Sequence, residues 1–482
     1  MSHRLRVGAL LCACGWSAAF AGLVGPELQR WLSRQGSQAD TPVIVHLEDS
    51  LAAEALAVDD RSQRDNRLLR ALQDRYARNR SAVQEILKST TLNEPRDLWI
   101  INAVALTVSA NRVREIAAHP YVLRVDLDAG AKGSRSQRAP GLRSSRAEAD
   151  VATGDVPDTR PMPATAAWNI AAVGAPALWA RGLTGKHVVI ASMDSGVDPE
   201  HPLLRSQWRG GSNSWVDVHG AWPTPVDALG HGTQTLGITL GRGGLGVAPD
   251  AQWIGVNLYD AQGSARMSDI HRAFQWLMDP DGDADTLDAP DVVVASWSLV
   301  GRAPGSCIRE FETDIQVLQQ AGIAVVFAAG NDGPREGSSS SPANNPGVMS
   351  VGAAERDGAI ARQTSRGPSS CDRGIFPALL APGMQIETTD LSYGGRPLTA
   401  TVSGSSMAAP HVAGVLALLM QAFPSASLDQ LTDALVSDDG GARATEPVAL
   451  DGAAAWRRLN DRFNPAANTS SHTMRASTEP EH

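Results

Sequence analysis

Four short stretches carry different reactive side chains to the ends of apolar runs. "VVIASMDSGVDPEHP" leaves such a run on Asp194, and "DALGHGTQTLGI" sets His231 between two glycines. "VVFAAGNDGP" ends on Asn331, and "TVSGSSMAAPHVAG" crowds Ser403, Ser405 and Ser406 before a long apolar segment. Together these residue types suit acyl transfer through a serine. A serine hydroxyl is a weak nucleophile at its own pKa and needs a base touching it. A neutral His231 takes that proton and later returns it to a leaving amine. A carboxylate, Asp194, fixes the other ring nitrogen and stabilises the imidazolium. The developing oxyanion needs donors, which the Asn331 amide and the Ser406 backbone N–H at a helix N-terminus supply.

Each stretch alone has a plainer reading. Asp-Ser-Gly is a common Asx turn, and a histidine beside glycine is commonly a helix-end or surface residue. Ala-Ala-Gly-Asn makes a tight turn, and a serine cluster caps helices. Four complementary roles from four separate segments favour an enzyme over a catalytically silent binding or chaperone module. His231 argues against a relative that uses glutamate as its base.

The elements that must hold these groups alternate in type. "HVVIASMD", "AQWIGVNLYD", "DVVVASWSL", "IAVVFAAG" and "VMSVGAA" are apolar strands of the kind buried on both faces of a parallel sheet. Between them lie helices: "MSDIHRAFQWLMD", with Ser268 as N-cap, and "IREFETDIQVLQQAG", stopped by Gly322. The alternation predicts an α/β fold with a doubly wound parallel sheet over residues 167–458. In such sheets reactive groups gather at the carboxyl ends of strands, which is where Asp194 and Asn331 stand.

A small α+β unit precedes it at 42–128, with strands at 42–49, 98–108 and 121–128 and helices within 61–89 and 110–120. Residues 129–166 are rich in Gly, Ser, Pro and Arg, with five arginines from Arg135 to Arg160. They read as an exposed, easily cut linker. At the start, Arg4 and Arg6 precede an apolar run and Ala19-Phe20-Ala21. That pattern predicts a signal segment over 1–21, cleaved after Ala21, with an uncleaved anchor as the alternative. The product is then secreted, extracellular or periplasmic, with no membrane attachment after cleavage. The tail, 459–482, is polar and reads as disordered.

The 482 residues are 43 % hydrophobic and 20 % charged, which allows a sizeable core. A net charge of −10 argues against nucleic acid as a partner. Of four cysteines, Cys12 and Cys14 leave with the signal. Cys307 and Cys371 then form one disulfide, or remain two buried thiols. "DPDGDADTLD" places five aspartates in ten residues. It is a solvated turn or a Ca²⁺ loop through Asp281, Asp283 and Asp285, although its glycine and its lack of a closing glutamate differ from an EF-hand. His411, more than a helical turn beyond Ser406, reads as a packed helix residue.

"MDSGV" at Asp194, "GHGT" at Gly230–Thr233, "AAGN" at Ala328–Asn331 and "GSSMAAPHVAG" at Gly404–Gly414 resemble, in order, the four motifs of the subtilisin-like (subtilase) serine peptidases. The likeness runs from about Trp168 to Trp456. "ASWS", "SPANNP" and "SRGPSS" most resemble bacillopeptidase F-type members. The resemblance implies that Ser406, directly before Met407, is the nucleophile of an Asp194–His231–Ser406 triad, with Asn331 at the oxyanion. It implies polypeptide substrates laid as added strands against Gly263, Ser264 and Ala265 and against Ala295–Ser298. It also implies a specificity pocket lined by Ser296, Trp297 and Ser298 and by Ala328, Ala329 and Gly330, with no cofactor required. The unit at 42–128 resembles the family's inhibitory, chaperone-like propeptide. A zymogen is thereby implied, with the chain's own propeptide as a partner and an activation cut in the linker shortly before Trp168. Two positions depart from the usual pattern: Ser405 stands where threonine is common, and Ser298 where glycine is.

Overall fold

The computed structural model describes residues 23–48, 60–61, 66–132, 137–138, 166–260, 262–299, 303, 305–395, 397–437 and 444–464. The signal segment 1–21, most of the 129–166 linker with its expected cut, and the tail 465–482 lie outside the described residues. The chain divides into two compact units.

The first unit comprises Met1–Asp49, Ala77–Asp97 and Asn102–Leu127. Its sheet centres on β1 (Asp40–Leu47), antiparallel to both β2 (Ala103–Ser109) and β3 (Val122–Leu127). Leu23–Val24 and Arg96–Leu98 form the two edges. Val43, Ile44 and Val45 are all buried, so β1 is covered on both faces. The helical stretch expected over 61–89 is two helices, α1 (Arg67–Ala82) and α2 (Gln84–Thr90). The strand expected from 98 begins only at Ala103, because Asn102 takes a left-handed φ of 52° after a 3₁₀ turn at Trp99–Ile101. A short helix, α3 (Val113–Ala117), leads into β3.

The second unit comprises Ser50–Tyr76, Leu98–Ile101 and Asp128–His482. Its sheet strands in chain order are β4 (Val189–Asp194), β5 (Trp215–Asp217), β6 (Gln252–Asn257), β8 (Val292–Ala295), β9 (Ala324–Ala328), β10 (Met349–Ala354), β11 (Leu379–Pro382) and β14 (Val448–Ala449). Outside this sheet, a short strand, β7 (Ser264–Arg266), precedes β8, and an antiparallel pair, β12 (Ile386–Thr389) and β13 (Thr399–Ser403), follows β11. The spatial order β14–β11–β10–β9–β8–β4–β6–β5 is parallel at every pair. The chain starts centrally at β4, fills one side, then crosses to β8 and works outward. This is a doubly wound α/β sheet. Its reversal between β6 and β8 opens a crevice at the carboxyl end of β4, where Asp194 stands.

The helix α4 (His231–Leu240) and the eighteen-residue α7 (Ser405–Ala422) carry His231 and Ser406. Every residue of α7 from Ser405 to Met420 is buried. By length and composition α7 would suit a membrane, but it packs against α4 and against β8–β11. Val412, Val415, Leu416 and Leu419 join Ile190, Val294, Val326 and Val351 in one core. Each such side chain contributes about 1.5–3 kcal/mol by leaving water. That core holds the N-terminus of α7 in place. Between β9 and its predecessor runs α6 (Glu312–Gln320), ended near Gly322 at φ 77° as its sequence suggests.

Three local expectations are corrected. The helix α5 (Met267–Met278) starts earlier than Ser268, with Arg266 at the N-cap and its N–H donating to Asp269 at 3.0 Å. The Ser268 hydroxyl instead donates to Asp128 at 2.8 Å. The linker is also not wholly irregular: Gly130–Lys132 pairs antiparallel with β7, and Gln137–Arg138 with β13. The closing helix continues to Phe463 because Leu459 is buried.

Candidate active site

Asp194 is the last residue of β4 and is almost completely buried. His231 is the first residue of α4, and its Nδ1 lies 2.7 and 2.9 Å from the two Asp194 oxygens. A carboxylate only accepts, so the imidazole proton sits on Nδ1 and Nε2 is left as acceptor. Nε2 is buried and has no hydrogen-bond partner among the described residues. Burial pulls the imidazolium down, but the Asp194 charge and hydrogen bond, aided by the Asp227 charge, outweigh it and hold His231 above its usual 6.5. The close approach of α4 to β4 requires a glycine at 232, where a Cβ would lie 2.0 Å from the Gly196 carbonyl. This is the physical content of the "GHGT" spacing.

Ser406 is the second residue of α7. Gly404 before it has φ 145°, a region that side chains other than hydrogen avoid, and it lets the chain turn from β13 into the helix. Asn331 follows β9, and its Oδ1 accepts the Ser405 N–H at 2.9 Å. The amide oxygen is thereby engaged, and Nδ2 is the half left to donate. The Ser405 hydroxyl, in turn, accepts the Gly330 N–H at 3.1 Å. Ser405 therefore locks the Asn331 loop to the head of α7, a task for which a hydroxyl suffices in place of threonine.

The expected pocket segments also come together. β8 and β9 pair with Ala295 opposite Phe327, so Ser296–Ser298 and Ala328–Gly330 leave the sheet side by side. The Trp297 side chain, however, is buried edge-on between Phe311 and Phe327, with centroids 6.0 and 5.2 Å away. Only its backbone remains for a ligand. Gly263 and Ser264 lie at the β7 edge, which already accepts Gly130–Lys132 as an added strand. Cys307 and Cys371 form a disulfide with Cα atoms 4.9 Å apart. His411 is fully buried between Asn169 and the Met407 carbonyl, each 2.9 Å away, and burial depresses it to about 4. It is a neutral packing residue.

Sequence reasoning missed Asp227. This completely buried carboxylate accepts from the Ser195 hydroxyl (2.9 Å), Leu229 N–H (3.1 Å) and Gly230 N–H (2.7 Å) through Oδ1. Through Oδ2 it accepts from the Thr233 N–H (2.9 Å) and hydroxyl (2.7 Å). Ser195 Oγ accepts the Gly232 N–H at 2.9 Å, and the Ser195 N–H donates to Asp194 at 2.7 Å. Asp227 thus ties the turn carrying His231 to the strand end carrying Asp194. An acid just before a helix start is the signal that would have revealed it.

The acidic loop differs from expectation in membership. Carboxylate oxygens of Asp279, Asp281 and Asp288 lie within 4.8 Å of one another. Asp283 and Asp285 fall outside this group: Asp283 accepts the Asp285 N–H at 2.9 Å, and Asp285 pairs with Arg70 at 2.6 Å.

A model of the Subtilase family matches residues 185–455, more than half of the 482-residue chain. Bacillopeptidase F of Bacillus subtilis (strain 168) is 31 % identical over 364 residues, covering 70 % of this chain and 24 % of that protein. M-protease of Shouchella clausii (strain KSM-K16) is 35 % identical over 272 residues, covering 56 % of this chain and 63 % of that protein. Subtilisin Savinase of Lederbergia lenta is 34 % identical over 272 residues, covering 56 % of this chain and 89 % of that protein. The chain thus spans a quarter of the first relative and less than two thirds of the second. Asp194, His231, Asn331 and Ser406 all fall inside the matched range, and the parallel sheet and its crevice are the frame on which they stand: the chain belongs to the subtilase family.

Proposed function

We propose that this chain is a secreted serine endopeptidase, made as a zymogen, that hydrolyses peptide bonds through an acyl-enzyme. The observation that carries the reading is the His231–Asp194 pair with its free Nε2, on the same helix-and-sheet frame as an Asn331 whose oxygen is already engaged. Ser406 Oγ attacks the scissile carbonyl while His231 Nε2 takes its proton. The tetrahedral oxyanion receives the Asn331 Nδ2–H and the Ser406 N–H. The imidazolium, held by Asp194, then protonates the leaving amine, and water repeats the sequence on the acyl-enzyme. The names Bacillopeptidase F and M-protease agree with polypeptide substrates.

Substrate would add as a strand on β7 and along Ala295–Ser298. The pairing of Gly130–Lys132 with β7 and of Gln137–Arg138 with β13 supports a zymogen, because the chain's own linker takes up edges that a substrate would use. The signal pattern over 1–21 and the disulfide support export to an oxidising compartment. A fluorophosphonate probe applied to the processed protein tests the reading. Ser406 should be labelled, and Ser406→Ala should be neither labelled nor active on a casein substrate. Processed wild-type protein that takes no label would instead favour a catalytically silent binding module.

A further inference from the structure

We propose that Arg61, with Asn66, Arg70 and Gln73 beside it, is an anchor that keeps the N-terminal part of the chain on a socket formed by Asp291 and Gly322 once the linker is cut. This rests on the zymogen reading and goes beyond it, because the socket lies away from the catalytic groups. Residues Ser50–Tyr76 belong to the second compact unit, together with Asp128–His482. Arg61 is only 8 % exposed. Its Nη2 donates to Asp291 Oδ1 at 2.7 Å, and its Nε donates to the Gly322 carbonyl at 3.0 Å. The socket is built by strand starts: Asp291 directly precedes β8, and the Val189 N–H at the start of β4 donates to its Oδ2 at 2.9 Å. Burial pulls the guanidinium down, and the Asp291 charge and hydrogen bond oppose it. A charge withdrawn from water this far is tolerated only with a fitted partner, so removing either side is costly.

The remaining contacts run back along the loop that ends at Asp291. Asn66 Nδ2 donates to the Ala284 carbonyl at 3.0 Å and to the Thr286 carbonyl. Arg70 donates to the Ala284 carbonyl at 3.1 Å and to Asp285 at 2.6 Å, and Gln73 donates to Asp279 at 3.0 Å. Arg61 and Gln73 therefore grip the loop at its two ends. Charge matches as well: positions 279–291 hold six aspartates and no lysine or arginine, whereas 61–73 hold four arginines and one aspartate. Such complementarity fixes register and suppresses wrong partners. The Arg70 and Asp285 side chains are mostly exposed, so their pair is worth little. Arg61 is enclosed and carries most of the hold. The socket lies at the amino end of β8, and Ser296–Ser298 follow its carboxyl end. A cut within 129–166 puts Arg61 and Asp291 on different polypeptides. Their contact then joins two chains at the end of β8 opposite the expected pocket, and a substrate strand does not compete for it.

The test uses the full chain carrying Ser406→Ala and a C-terminal affinity tag, nicked in the arginine-rich linker by trace trypsin, with the nick confirmed by mass spectrometry. Trypsin makes the cut, so a failure of the zymogen reading and a failure of the anchor are told apart. The tagged part is immobilised, and departure of the N-terminal part is timed by surface plasmon resonance. Arg61→Ala should speed departure at least about tenfold. Arg61→Lys should show part of that loss, because one ammonium does not span Asp291 and Gly322 as the guanidinium fork does. Arg70→Ala should change the rate less than about fivefold. Asp291→Asn gives the same reading from the other side should Arg61→Ala fail to fold. Where both fold, the double variant should leave no more than about twofold faster than the faster single one, since the two share one contact. An N-terminal part that leaves the nicked parent at once overturns the assignment. So does a change under about twofold in both Arg61→Ala and Asp291→Asn, or effects that multiply in the double variant.

Discussion

Asp227→Asn separates two effects of a buried acid that usually arrive together. In the folded chain Asp227 is completely enclosed, and burial raises its pKa from the ordinary 3.8 to about 6 despite donors from Thr233, Gly230 and Ser195. The folded state therefore keeps a proton that the unfolded chain releases near 3.8. The stability this group provides is full below that pH and is lost as pH rises through about 6. At about 1.36 kcal/mol per tenfold change in proton affinity, the loss across this window is about 3 kcal/mol. Asparagine has the same shape and does not titrate. It also turns an amide donor toward N–H or hydroxyl donors, which costs roughly 1–3 kcal/mol at every pH. Urea unfolding of Ser406→Ala and of Ser406→Ala/Asp227→Asn, run from pH 4 to pH 8, cancels the constant part. The stability difference should move by about 2.4 kcal/mol in favour of asparagine between the two ends, because at pH 4 the unfolded acid is already more than half ionised. A difference constant to within about 0.5 kcal/mol would refute the reasoning, because it would mean that Asp227 titrates alike folded and unfolded. In the active chain the same change removes one charge that raises His231. The acidic limb of kcat/KM should then shift to lower pH.

Two other substitutions probe the frame. Asn331→Ala should lower kcat on a peptide substrate by roughly 10²–10³ with KM little changed, because the lost donor acts on the oxyanion and not on the bound ground state. Steady-state kinetics check this, and a loss below about tenfold would show that the Ser406 N–H suffices. Replacing Cys307 and Cys371 by serine opens a loop spanning 64 positions. In the chain-entropy picture this costs up to about 4 kcal/mol. Thermal unfolding with and without reductant measures it: the parent should fall toward the variant on reduction, and the variant should not respond.

How much of this was legible depends on the range of the contacts involved. Asp194, His231, Asn331 and Ser406 stand at junctions where an apolar strand or helix meets glycine, and such junctions announce themselves within a few residues. The parallel strands are legible for a similar reason: Val292–Ala295 and Ala324–Ala328 are buried throughout, so they appear as unbroken apolar runs. The misread residues are those whose partners come from far along the chain. Ser268 resembles an N-cap, but its hydroxyl goes to Asp128, 140 positions away. Asp227 drew no reading at all, and only the fold brings it Ser195, 32 positions earlier, which donates to its carboxylate, and Tyr393, 166 positions later, whose hydroxyl donates to its backbone carbonyl. In the acidic loop, alternation pointed to Asp281, Asp283 and Asp285, whereas the fold brings Asp288 back to Asp279. In each case local pattern identifies a polar side chain with a capacity, and only the packing of distant segments decides which partner uses it. The proposed catalytic base differs because substrate, not the chain, would have to reach it: among the described residues His231 Nε2 has no hydrogen-bond partner.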